Sequence, residues 1–116
     1  MIADWRDQET RNEAAFRDRN EWIRRENERF ATPGGTFAIV CECGDAACEA
    51  PISLTIAEYE SVRAYATRFA VAPNHEDPES DVLIGEHAGF TVVEKITAMG
   101  RRIMRGTDPR RAQGES

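Results

Sequence analysis

Three cysteines lie within eight consecutive positions of the sequence, in the pattern Cys41-x-Cys43-x4-Cys48. Thiolates are soft anionic donors, and zinc favours them in closed tetrahedral sites built from three cysteines and one histidine. In an extended segment, residues i and i+2 point the same way, so Cys41 and Cys43 can face one ion. Gly44 permits the sharp turn that brings Cys48 back to them. The pattern therefore predicts one structural Zn²⁺ ion.

The predicted fourth ligand is His75, because it follows a proline in a turn that would present its side chain rigidly. His87, Asp45 or a group supplied by a partner are the alternatives. If His75 were not a ligand, the fourth position could hold a water molecule, with Glu76 or Asp77 as its base.

The cysteines could serve other purposes as small buried residues or as a redox pair. A redox switch would release zinc on oxidation, and Cys48 is the more natural disulfide partner for either other cysteine. The sequence has no Ser-His-Asp constellation to read, no phosphate-binding glycine motif and no HExxH motif. We therefore expect a non-catalytic protein with no small-molecule substrate.

The residues that must hold this cluster lie in a predicted domain over residues 36–96. Short apolar runs there alternate with turn residues, which is typical of strands. These runs cover residues 37–41, 52–54, 82–84 and 90–93, the last two as a hairpin, and residues 69–71 admit an extended conformation. Thr55 and Glu58 form a capping-box pattern, which predicts a helix from there to about Ala66. The predicted fold class is α+β: a long N-terminal helix, then a zinc-stapled domain of three or four short antiparallel strands and one helix.

Residues 1–31 are predicted to form an amphipathic helix, since residues 3–31 contain no Gly or Pro and are rich in Arg, Glu and Ala. Its large apolar residues are Trp5, Phe16, Trp22, Ile23 and Phe30. A helix of this length exceeds the span of the small domain, so these residues are predicted to bind a protein partner or to form a homodimer. Packing within the chain is the alternative.

Charge is spread unevenly along the chain. Residues 32–95 carry 3 basic and 11 acidic side chains, whereas residues 96–116 carry 5 basic and 2 acidic ones. The acidic body would repel nucleic acid, so a nucleic-acid-associated regulator acting through the Arg-rich tail is a lesser alternative. Residues 97–116 are predicted to be a basic, disordered tail that admits a short helix around residues 97–105.

The sequence also bears on location. It has no apolar run of the roughly 18 residues that a membrane helix needs, and its charged start lacks the core of a secretory signal. We therefore expect a cytoplasmic protein.

Further motifs extend the cysteine pattern along the chain. They include Asn12-Glu13-Ala14, Ile52-Ser53-Leu54-Thr55, Glu58-Tyr59-Glu60, Val71-Ala72-Pro73-Asn74-His75 and Val92-Val93-Glu94-Lys95. With the CxCGxxxxC string they resemble a family of small uncharacterised actinobacterial proteins over roughly residues 12–95. That family usually has Gly at the position of Asn74, a conservative turn change. The resemblance implies a zinc-binding-like cysteine–histidine set and no particular activity.

Overall fold

The computed structural model describes residues 5–28, 35–45, 47–48 and 50–110, with the backbone alone for residues 5–7 and 28. It shows three helices and five strands within these residues. In chain order they are α1 (Trp5–Glu28), β1 (Thr36–Val40), β2 (Pro51–Thr55), α2 (Ile56–Arg63), β3 (Arg68–Val71), β4 (Asp81–Glu86), β5 (Thr91–Lys95) and α3 (Ala98–Gly106). The predicted α+β class is confirmed.

The strands form two small antiparallel sheets. β1 pairs with β2, and the second sheet has the order β3-β5-β4. The predicted hairpin is present as β4 and β5. Five strands exceed the expected three or four because the run around Phe69 pairs with β5 as β3, opposite Val93.

The segment after β1 joins the two sheets. The Cys41 N–H donates to the carbonyl of Ala50 at 3.2 Å, beside β2, and the Glu42 N–H donates to the carbonyl of Ala70 on β3 at 3.0 Å. The predicted metal-binding segment is therefore fixed by backbone hydrogen bonds on both sides.

The apolar core lies around these sheets. Inward-facing strand residues alternate with exposed ones, as the period of two requires. The core includes Phe37, Ile39, Ile52, Leu54, Tyr59, Phe69 and Val93.

Helix α2 begins at the predicted capping box. The Thr55 hydroxyl accepts from the Glu58 N–H at 3.1 Å, and the Glu58 carboxylate accepts from the Thr55 N–H at 2.8 Å. These bonds satisfy backbone donors that a helix start otherwise leaves free. The helix ends at Arg63, three residues before the expected end.

Helix α3 occupies part of the segment predicted as a disordered tail. Thr97 caps it by accepting from the Gly100 N–H at 3.1 Å. Its inner side buries Ile103 and Met104, and the helix packs against α1. This burial explains why residues 98–106 form a helix, and residues 111–116 lie outside the described part of the chain.

Helix α1 packs against the rest of the fold, and the face that it buries is mainly polar. The buried residues of this face are Thr10, Glu13, Ala14, Arg17, Asn20 and Glu21. Arg17 donates to the carbonyls of Ala66 at 2.7 Å and Met104 at 3.0 Å. Because these side chains find partners, burying them does not carry the full penalty of an unpaired polar group.

A buried charge cluster also ties α1 to the second sheet. The Lys95 ammonium lies 2.7 Å from the Glu13 carboxylate and 3.0 Å from the Asp81 carboxylate. Burial raises the pKa of Glu13 to about 8, although Lys95 opposes that shift. Two carboxylates thus share one ammonium in a site closed to water.

Among the described residues, no helix combines the length and the apolar character needed to cross a membrane.

Candidate metal centre

The structure brings the three cysteines and His75 together. One ligand atom from each of Cys41, Cys43, Cys48 and His75 lies within 4.8 Å of every other. The three cysteines are free thiols, so no disulfide competes for the sulfur atoms. The four side chains lie close enough to bind a metal ion.

The distances to the histidine agree with tetrahedral coordination. The His75 Nδ1 atom lies 3.5 Å from the sulfur of Cys41 and 3.5 Å from that of Cys48. Tetrahedral zinc, with Zn–S near 2.3 Å and Zn–N near 2.0–2.1 Å, would separate a sulfur and a nitrogen ligand by about 3.5 Å. The donor set also suits zinc chemically, so the residues present fit this ion.

A tight loop brings Cys48 back to the other cysteines. Gly44 has a φ of 82°, a conformation that glycine adopts without strain. The Asp45 carboxylate accepts from the Ala47 N–H at 2.9 Å, and the Asp45 carbonyl accepts from the Cys48 N–H at 3.0 Å. Asp45 therefore shapes the loop. The fourth member of the cluster is His75 and not Asp45, which was an alternative fourth ligand.

A turn presents His75. Its N–H donates to the carbonyl of Ala72 at 3.0 Å, which closes a turn over Pro73 and Asn74. Asn74 has a φ of 69°. Proline followed by a residue with positive φ is the pattern of a type II turn, in which Gly or Asn is favoured at the second position. This geometry accounts for an asparagine at position 74.

Cys41 is the most enclosed of the four side chains. It is buried, Cys43 and Cys48 are half-buried, and His75 is exposed. The Ala72 N–H donates to the Cys41 sulfur at 3.1 Å, a contact that favours the thiolate. Burial nevertheless raises the pKa of the Cys41 and Cys43 thiols. A divalent cation would supply the positive charge that lets these buried sulfurs ionise.

A hollow of about 290 Å³ opens beside the cluster. It is lined by Glu9, Cys43, Asp45, Asn74 and His75. Burial, followed by the charge of Asp77, raises the pKa of Glu9 to about 7. The exposed side of the cluster is therefore bordered by two carboxyl groups, one of them from α1.

The other predicted chemical residues lie apart from the cluster. His87 stacks on Phe90 with ring centroids 4.4 Å apart, and its Nδ1 lies 3.9 Å from the Glu58 carboxylate. The Asp77 carboxylate accepts from the hydroxyl of Ser80 at 2.9 Å and so shapes the loop before β4. Neither side chain belongs to the four-residue group.

The residues predicted to bind a partner differ in their exposure to solvent. Trp22 is 57% exposed, whereas Ile23 packs against the core and Phe16 is half-buried. Only the backbone of Trp5 is described, and Phe30 lies outside the described residues. Binding through this helix stays a prediction.

Sequence reasoning missed the residue between the first two cysteines. The buried Glu42 carboxylate accepts from Arg63 at 2.5 Å, from the Ala70 N–H at 3.0 Å and from the Asn20 amide at 2.8 Å. The signal was available, because in an extended segment the residue between two ligands points away from the ion and into the protein.

Comparison of the chain with protein-family models, with curated proteins and with solved structures finds no match.

Proposed function

We propose that this protein binds one structural Zn²⁺ ion through Cys41, Cys43, Cys48 and His75, and that it acts as a non-catalytic protein-interaction module. The convergence of these four donors is the observation that carries the proposal. Four protein ligands complete a tetrahedral site and leave no position for a reacting water. When bound, the ion would cross-link the segment after β1, the following loop and the turn before β4.

The surroundings of the cluster support a stabilising role. The two sheets have only four to six residues in each strand, and a core of this size supplies little net stability alone. Structural zinc contributes on the order of 10–16 kcal/mol of apparent binding free energy in small domains. That is as large as the whole net stability of a typical domain, about 5–15 kcal/mol.

Metal analysis with matched variants tests the zinc site. Purified protein should contain one zinc per chain by elemental mass spectrometry, and His75→Ala should bind it far more weakly. His87→Ala is the matched control, because His87 lies outside the cluster and its loss should leave the zinc content unchanged. A folded wild-type protein without zinc, after expression with ample zinc, would refute the proposal.

The interaction role is supported by Trp22. A tryptophan that is 57% exposed on a long polar helix is a candidate anchor, because aromatic side chains contribute strongly to interfaces. We propose self-association or a protein partner at this surface, with a homodimer as the first expectation. Light scattering at micromolar concentrations should show a dimer that Trp22→Ala weakens. A monomer unchanged by that substitution would refute the homodimer.

A further inference from the structure

Residues 40–44 present two different faces. The side chains of Cys41 and Cys43 point to the cluster. Helix α1 contacts the Glu42 side chain and the backbone of Val40 and Gly44. In an extended segment, the Glu42 side chain points away from those of Cys41 and Cys43. One short piece of backbone therefore meets the metal site on one side and α1 on the other.

Asn20 makes the central contacts. Its side-chain amide donates to the Val40 carbonyl at 2.8 Å and to the Glu42 carboxylate at 2.8 Å, and its carbonyl oxygen accepts from the Val40 N–H at 2.9 Å. Asn20 is fully buried. It thus extends the backbone pairing of β1 with a side chain of α1 and fixes the position from which Cys41 follows.

The far end of the segment is held in the same way. The Asn12 amide donates to the Gly44 carbonyl at 3.0 Å. A Cβ atom on Gly44 would lie 2.6 Å from the Glu9 Cγ and 2.9 Å from the Glu13 Cγ, so the loop backbone lies directly against α1. Side chains from two different turns of α1 therefore position both ends of residues 40–44.

From this arrangement we infer that α1 positions the metal-binding segment, with Asn20 and Asn12 as positioning residues, and that zinc binding and docking of α1 are thermodynamically coupled. The inference rests on the proposed zinc site. By linkage, if docked α1 raises the affinity for zinc by some factor, bound zinc favours the docked helix by the same factor. Loss of zinc would then destabilise the docked α1 more than the β3-β5-β4 sheet.

Zinc affinity of helix variants tests the first half of the coupling. Asn20→Ala should weaken zinc binding about tenfold or more in chelator competition, as loss of residues that orient ligands typically does. Asn12→Ala removes one contact and should weaken zinc binding about threefold, and it serves if Asn20→Ala does not fold. Arg19→Ala is the matched control, because Arg19 is exposed on the same helix. If Asn20→Ala and Asn12→Ala bind zinc as tightly as Arg19→Ala does, the inference is overturned.

A second control separates positioning from general stability. Val93→Ala removes fully buried apolar volume from β5. Strand β3 lies between β5 and residues 40–44. While the protein stays folded, this variant should lose stability and keep its zinc affinity. If it loses affinity as much as Asn20→Ala does, Asn20 is merely structural and the inference fails.

Hydrogen exchange tests the reciprocal half. After zinc is removed from wild-type protein by a chelator, protection should fall by a larger factor for the amides of α1 than for those of β5. An equal loss of protection in both elements would show that zinc stabilises the whole fold uniformly, and the specific coupling would be overturned. A wild-type chain that binds no zinc would refute the zinc site itself, whereas zinc binding indifferent to Asn20 would refute the coupling alone.

Discussion

Replacing Glu42 by glutamine should destabilise the protein far more than its conservative character suggests. The carboxylate has no exposed surface and is paired with Arg63, whose side chain is 2% exposed. An amide keeps one acceptor oxygen but loses the charge, and it turns an NH₂ group towards donors. Breaking a buried ion pair on one side typically costs about 3–5 kcal/mol, because it leaves the other charge unpaired. We expect a loss of that size in the free energy of unfolding.

The assay is urea denaturation of the zinc-loaded protein, with Glu94→Gln as the matched control. Glu94 pairs with Arg68 at 3.4 Å, and both side chains are about a quarter exposed. Solvent-exposed pairs contribute at most about 1 kcal/mol, and this partly exposed pair should contribute far less than the fully buried one. If Glu42→Gln and Glu94→Gln reduce the free energy of unfolding equally, the reasoning about Glu42 is wrong.

Two further substitutions test buried features of the α1 interface. Burial raises the pKa of Glu13 to about 8, so its deprotonation is unfavourable in the folded state. As pH rises from 4.5 towards 8, wild type should therefore lose free energy of unfolding relative to Glu13→Gln. The difference should reach at most about 3 kcal/mol at pH 7. A difference that does not change with pH would contradict the assignment. Gly44→Ala should lower the free energy of unfolding by about 1–3 kcal/mol, since Gly44 has positive φ and its Cβ would meet Glu9. Gly106→Ala has open space around the new atom and should be nearly neutral, so equal losses at both glycines in urea denaturation would exclude the close contact as the cause.

Features that depend on neighbouring residues could be predicted from the sequence. The capping box at Thr55 and the hairpin of β4 and β5 are local signals, and both are present. The clustering of the three cysteines was also predictable, because their spacing expresses local geometry. The turn with proline marked His75 as a candidate ligand, but its contact with Cys41 joins residues 34 positions apart.

The docking of α1 could not be predicted in this way. The large apolar residues are the most conspicuous feature of the helix sequence, but the face that packs is mainly polar. Arg17 is buried because carbonyls 49 and 87 positions away accept its hydrogen bonds. Asn20 is buried because it pairs with Val40 and Glu42. Such partners become visible only when distant segments meet, and the sequence of a polar helix does not indicate them.

X-ray absorption spectroscopy at the zinc edge of purified protein tests the central claim most directly. It measures the metal and its ligands together, independently of stability or activity. The proposed site predicts three sulfur ligands at about 2.3 Å and one nitrogen at about 2.0–2.1 Å. The nitrogen signal should disappear in His75→Ala and persist in His87→Ala. A first shell with fewer than three sulfurs, or with its nitrogen unaffected by His75→Ala, would contradict the assignment of Cys41, Cys43, Cys48 and His75 as a structural zinc site.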